Sequence, residues 1–335
     1  MRRLLARRLI FVVFVLWGVT LITFFLARVA PGDPARLIAG AHANAAAIAN
    51  VRALYGLDQS LVVQYGHYMG DLLRGDLGTS FVTRRPVAAD IGAFLPATAE
   101  LSLFALLAGS SAGIALGVFA ALRRGSRSDG AARLIAVASL SMPAFWLAML
   151  LQLVVYSRLG WLPFGGRLDT GMAPPPQVTG FMTIDSLLAG QPETFVASVR
   201  HLVLPVFTLA LAEVGLMARI VRTSMLEVVG EDYIRTAEAK GLARRRVVVR
   251  HALRNALLPA VTVLGLEAAL LAGGVFLVET IFAWPGIGRY AYDAIRASDY
   301  NAIMGVTVVG AVIYVAINLV VDIAYLYLDP RIRYS

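Results

Sequence analysis

Six long apolar runs limit what this chain can fold into. They extend over Leu9–Val29, Ala97–Leu122, Leu134–Ser157, His201–Ala218, Leu257–Val278 and Ala302–Leu328. A helix needs about 20 mostly apolar residues to cross the hydrocarbon core of a bilayer, and each run is of that order. Inside lipid the backbone has to satisfy its own hydrogen bonds, which a helix does within one segment. The runs therefore predict an all-α, polytopic membrane bundle of six transmembrane helices. Composition agrees, because only 15% of residues are charged, against about 25% in soluble domains. Residues 1–335 read as one membrane domain, with no soluble domain and no simple repeat.

The arginines orient the bundle. With the N-terminus inside, segments 1–8, 123–133, 219–256 and 329–335 face the cytoplasm and carry 19 of the 30 basic residues against six acids. The outer segments 30–96, 158–200 and 280–300 carry ten basic and ten acidic residues. Basic residues gather on the cytoplasmic side of membrane proteins, so both termini are expected there. The first run is expected to stay as a span rather than be cleaved as a signal, since its apolar core is too long and no small-residue cleavage site follows.

The outer segment 30–96 is too long and too patterned for a linker. Pro31-Gly32-Asp33-Pro34 should end the first helix at the membrane surface, and Leu54, Leu57, Leu61 and Tyr65 recur at helical spacing beyond it. The second outer loop is expected to be irregular, with Trp161-Leu162-Pro163, Gly165-Gly166 and Pro174-Pro175-Pro176.

Several chemistries are excluded. The net charge of +9 comes almost entirely from arginine, and Lys240 is the sole lysine. A phosphate-binding loop needs its lysine followed by Ser or Thr, whereas Gly241 follows Lys240. ATP hydrolysis by that machinery must belong to another subunit. The chain has no cysteine, which removes disulfides, thiolate metal sites and thiol nucleophiles. His42, His67, His201 and His251 share no metal-binding spacing, and no Gly-x-Ser-x-Gly element occurs. No catalytic residue, metal, cofactor or nucleic-acid partner is expected.

The polar stretch from Glu227 to Val261 lies between two apolar runs and is far longer and more charged than a connection requires. Glu231-Asp232 at its start and Lys240 near its end suit the dipole of a short helix stopped by Gly241. Ile234 and Ala237 share a face that continues to Gly241, a small-residue surface that lets a partner approach closely. Arg244-Arg245-Arg246 then begins a second helix that climbs back toward the membrane near Pro259. On physics alone the segment either docks on a protein or lies on anionic lipid.

Within the spans, Ala105, Gly109, Gly113, Gly117 and Ala121 recur every four residues. Such a stripe is expected to form a tight helix–helix seam. Pro143 and Gly273-Gly274 permit kinks. Glu213, Glu267 and Asp322 fall inside apolar runs, where a charge costs roughly 2.5–3.5 kcal/mol at the bilayer centre. They are candidates for a translocation path suited to an amine or a cation, or for interhelical structure, with Asp322 possible nearer the cytoplasmic interface.

Tyr233-Ile234-Arg235-Thr236-Ala237-Glu238-Ala239-Lys240-Gly241-Leu242, followed by Arg250 to Ala256, resembles the cytoplasmic loop of ABC importer permeases of the dipeptide, oligopeptide and nickel branch. The general importer pattern has Glu-Ala-Ala before the glycine. Here Arg235 and Thr236 depart from it in the way typical of that branch. Tyr55-Gly56-Leu57-Asp58, Gly75-Asp76-Leu77-Gly78, Arg85-Pro86-Val87, Leu95-Pro96-Ala97-Thr98, Trp284-Pro285-Gly286-Ile287-Gly288 and Asp329-Pro330-Arg331 stand in the same order as in the branch. So does Pro31-Gly32-Asp33-Pro34. The resemblance covers essentially the whole chain and is closest to the first of the branch's two permease subunits.

That resemblance implies the type I importer permease fold and a bacterial inner-membrane location. It implies a second similar permease, two ABC ATPase subunits and an extracytoplasmic solute-binding protein as partners, besides the bilayer. Tyr233, Arg235, Thr236, Ala237, Glu238, Ala239, Lys240 and Gly241 would couple the ATPases to the spans by alternating access. Short peptides are the expected cargo, with nickel, glutathione or an opine-like solute as alternatives. An ion-gradient-driven carrier using Glu213, Glu267 or Asp322 is the rival from another class.

Overall fold

The computed structural model describes residues 2–29, 35–36, 43–54, 56–273 and 275–328. Pro31 to Pro34, His42, Tyr55, Gly274 and Asp329-Pro330-Arg331 lie outside the described residues. In chain order the helices are α1 (Arg2–Val29), α2 (Ala45–Leu54), α3 (Leu61–Leu73), α4 (Val87–Leu122) and α5 (Arg127–Ser141). Then come α6 (Ala144–Arg158), α7 (Met182–Leu188), α8 (Pro192–Val229), α9 (Asp232–Ala239) and α10 (Arg244–Ala256). The last four are α11 (Leu258–Ala272), α12 (Phe276–Ile281), α13 (Ile287–Arg296) and α14 (Tyr300–Leu328).

Helices α1, α4, α8 and α14 are each long and apolar enough to cross a membrane alone. The pairs α5–α6 and α10–α11 are bent by 97° and 54°, and counting each pair as one span gives six crossings. The third apolar run, expected as one span over Leu134–Ser157 with a kink permitted at Pro143, is broken there. The cause is local: Met142 precedes Pro143 and takes an extended conformation (φ −89°, ψ 118°), the region into which a following proline pushes its neighbour. The fifth run also differs from expectation, since α11 stops at Ala272, before Gly273. The spacing of Leu54 to Tyr65 does not mark one helix. A turn with Gly56 at φ +59° separates α2 from α3, and the apolar side chains Leu54 and Leu61 on either side of it are exposed.

Helix α8 has 38 residues and so runs about 57 Å at 1.5 Å per residue. A hydrocarbon core is about 30 Å thick, so α8 projects well beyond it and carries α9 at its arginine-rich end. The stripe of small residues on α4 is the seam expected of it. A Cβ placed on Gly113 would lie 2.6 Å from the Met217 Cβ of α8, and one on Gly117 would lie 2.7 Å from the Ala218 carbonyl oxygen. The two longest helices therefore approach closely at these glycines, and dispersion contacts hold them there.

At the opposite end, buried polar side chains stitch the outer loops to the spans. Glu100, fully buried on α4, accepts from the backbone N–H and hydroxyl of Thr183 (2.8 and 2.6 Å) and from Arg167 (2.5 Å). Glu279, also fully buried, accepts from Thr98 (2.7 Å) and from the Arg289 backbone N–H (2.9 Å). Asp299 takes the Ser80 hydroxyl at 2.6 Å, and Asp90 takes those of Thr83 and Tyr290 at 2.5 and 3.2 Å. Burial and then the facing Asp90 charge raise the Tyr290 phenol above its ordinary pKa, so it stays a donor. Burial alone would raise Asp185. Its bonds from Thr179, Gly180 and Val178 outweigh that and hold it below the usual carboxylate range. The stability these bonds add is present at neutral pH and is lost as pH falls through the lowered value.

Candidate functional site

The polar segment after α8 folds into a short helix whose ends follow from its residues. Glu231 is extended at the N-terminus of α9 (φ −73°, ψ 148°). At the C-terminus Gly241 adopts φ +74°, a left-handed conformation open to glycine at little cost. Its N–H bonds to the Glu238 carbonyl at 2.9 Å, and the Leu242 N–H bonds to the Ala237 carbonyl at 3.3 Å. This pair of bonds is a Schellman cap, and it turns the chain back toward the bundle.

The helix presents its faces differently from the sequence expectation. Ile234 and Ala237 do not form an outward surface. They are buried, 1% and 7% exposed, in a cluster with Met217, Val221 and Met225 of α8 and Val247, Ala252 and Ala256 of α10. The physical reason is amphipathicity: a helix with only two apolar inward positions buries those two when its own chain offers an apolar bed. Tyr233, Arg235, Thr236, Glu238, Ala239, Lys240 and Gly241 are exposed. Tyr233 also ties α9 to α10, since its hydroxyl oxygen accepts from the Asn255 amide at 2.8 Å. Within α10 the stretch Val247–Leu253 is wound as a π-helix, a looser form frequent at functional positions, just before the 54° bend into α11.

The candidate path residues separate into two places. Glu213 is 5% exposed, and neither of its carboxylate oxygens has a hydrogen-bond partner among the described residues. It lies in the α4–α8 seam opposite Gly109, whose added Cβ would stand 2.6 Å from the Glu213 Cβ. Glu267 lies on α11, which packs against α8. Asp322 does not join them: it is ion-paired with Arg8 of α1, at a groove between α1 and α14. His201 is not at a free surface. Its ring sits 4% exposed between the Gly165 carbonyl (2.8 Å) and Asp169 (3.1 Å).

Sequence reasoning overlooked Glu100, Glu279 and Arg167. The available signal was the same as for Glu213: an acid inside or beside an apolar run needs a partner. Arg167 supplies it to Glu100, bonds the Gly180 carbonyl at 2.8 Å, and stacks 5.7 Å above the Trp284 ring.

Comparison with known proteins places this geometry. Residues 113–334 match the family model of the binding-protein-dependent transport system inner membrane component, and residues 1–102 match that of its N-terminal part. The probable D,D-dipeptide transport system permease protein of Escherichia coli strain K12 is 48% identical over 320 residues, covering 96% of this chain and 94% of that protein. The dipeptide transport system permease protein of Alkalihalophilus pseudofirmus is 44% identical over 328 residues, covering 98% of each. Among solved structures, the inward-facing MetNI methionine ABC transporter superposes with a TM-score of 0.52 at 17% identity, over 71% of this chain and 96% of that one. The likeness confirms the importer permease fold.

Proposed function

The chain belongs to the family of binding-protein-dependent transport system inner membrane components, and on that premise we propose that it is the peptide-conducting permease of an ATP-driven importer. It is a multi-pass inner-membrane permease. The observation that carries the coupling role is the two-sided character of α9. Ile234 and Ala237 lock it to the ends of α8 and α10, and its other face stays open. An element fixed on one side and open on the other can pass a push from a partner directly into two spans.

In this reading the open face, with Tyr233, Arg235, Thr236, Glu238, Ala239, Lys240 and Gly241, docks on one of two separate ATPase subunits. The ATP site is theirs, since Lys240 is the sole lysine and lacks the phosphate-loop context. A second permease completes the path, and a solute-binding protein delivers cargo at the end opposite α9. Both termini lie in the cytoplasm, which follows from the arginine distribution. Short peptides are favoured as cargo because relatives at 48% and 44% identity carry dipeptide transport in their names. Glu213 and Glu267 form the acidic part of the path, where a peptide's ammonium group would meet the Glu213 carboxylate, which has no hydrogen-bond partner among the described residues. Asp322 is left out of this reading, because it pairs with Arg8 apart from the two glutamates.

The test is uptake of labelled di- and tripeptides into vesicles that hold this permease with its partner subunits, with binding protein outside. Uptake should require ATP inside and be unaffected by collapsing the proton gradient. Uptake by this chain alone, lost with the gradient, would establish the carrier instead.

A further inference from the structure

A groove of about 180 Å3 lies between α4, α5 and α8 at the arginine-rich end, apart from α9 and from the acidic pair. Its wall is apolar, with Leu116, Val137 and Leu140, and its rim carries Arg133, Arg219 and Arg222. Asp129 is 1% exposed and grips Arg222 with two bonds, at 2.8 Å to Nε and 3.0 Å to Nη2. That fixes the guanidinium plane and leaves Nη1 for another acceptor. Arg133 reaches the same carboxylate at 3.7 Å, and Arg219 is exposed with no acidic partner among the described residues. Three positive charges thus face one negative charge.

The groove continues into an uncovered apolar strip. Val137 and Leu140 are 61% and 40% exposed on α5. A soluble anion would use the arginines and leave that strip in water. A molecule with a phosphate at one end and a hydrocarbon tail at the other matches both parts, and arginines at a membrane surface attract such headgroups. We propose that this groove binds an anionic phospholipid of the cytoplasmic leaflet, its phosphate held by Arg219 and Arg222 and an acyl chain laid along Val137 and Leu140. The proposal rests on the orientation given above and not on the cargo. The bound lipid braces α5 against α8, the helix that leads into α9.

Native mass spectrometry of the full chain, titrated with phosphatidylglycerol or phosphatidylcholine, tests it. Phosphatidylglycerol should be retained preferentially. Retention should fall about fivefold for each of Arg133→Gln and Arg219→Gln, the scale of one basic side chain's attraction to an anionic leaflet. Both side chains are on the rim, and Asp129–Arg222 stays intact, so folding is preserved. Arg158→Gln and Arg200→Gln, each removing one charge at an edge of the second outer loop, should leave retention unchanged. Equal retention of the two lipids, an equal loss in the outer-loop control, or displacement of phosphatidylglycerol by inorganic phosphate would overturn the proposal.

Discussion

Gly241→Val and Gly241→Trp should each lower ATP-dependent uptake at least tenfold, while Gly241→Asn should stay within about threefold of the parent. Gly241 holds φ +74°, a conformation that costs an ordinary L residue about 1–2 kcal/mol and a β-branched one more. Asparagine tolerates it best among the side-chain-bearing residues. Helix α9 has only eight residues, too short to persist on propensity, so its position depends on this cap and on Ile234 and Ala237. A Cβ on Gly241 meets nothing in its own chain within 4 Å. A tryptophan there therefore loads whatever packs on that surface rather than the permease itself. Membrane insertion, measured by detergent-extracted monodisperse protein, should be unchanged in all three. Normal uptake by the valine and tryptophan variants would remove the coupling role from this turn.

The second large effect concerns stability. Arg167→Ala should destabilise the purified protein by about 3–5 kcal/mol, the usual cost of leaving one member of a buried ion pair alone. Glu100 keeps its two bonds from Thr183, but it is fully buried and loses its only cation within bonding distance among the described residues. Trp284 loses the guanidinium above its ring at the same time. The double variant Glu100→Gln, Arg167→Leu should be less destabilised than Arg167→Ala alone, because no bare charge remains. Thermal unfolding in detergent reads both. A double variant at least as destabilised as Arg167→Ala, or a loss below about 1 kcal/mol for Arg167→Ala, would show that the pair is solvated and not structural.

How far the sequence carried depended on the range of the interactions. The six crossings, the α4 stripe and the break at Pro143 were legible because each rests on local chemistry: hydrophobic length, a four-residue repeat and a proline's effect on its neighbour. The stop at Gly241 was legible for the same reason. The inward turn of Ile234 and Ala237 was not, because it depends on Met217 and Val247, which only the fold brings beside them. Glu100 and Thr183 are 83 positions apart, and Thr98 and Glu279 are 181 apart. Nothing in either neighbourhood names its partner. Asp322 and Arg8 stand near opposite ends of the chain, and only the fold pairs them.

Site-specific cross-linking is the most direct test that the open face of α9 docks on an ATPase subunit. The chain contains no cysteine, so single cysteines can be placed without background. With the assembled importer and a short cross-linker that is thiol-reactive at one end and photoreactive at the other, Thr236→Cys, Ala239→Cys and Lys240→Cys should join the permease to the ATPase. Ala237→Cys, on the buried face, should not. Cross-linking from position 237 with silence at 236, 239 and 240 would reverse the faces and contradict the account.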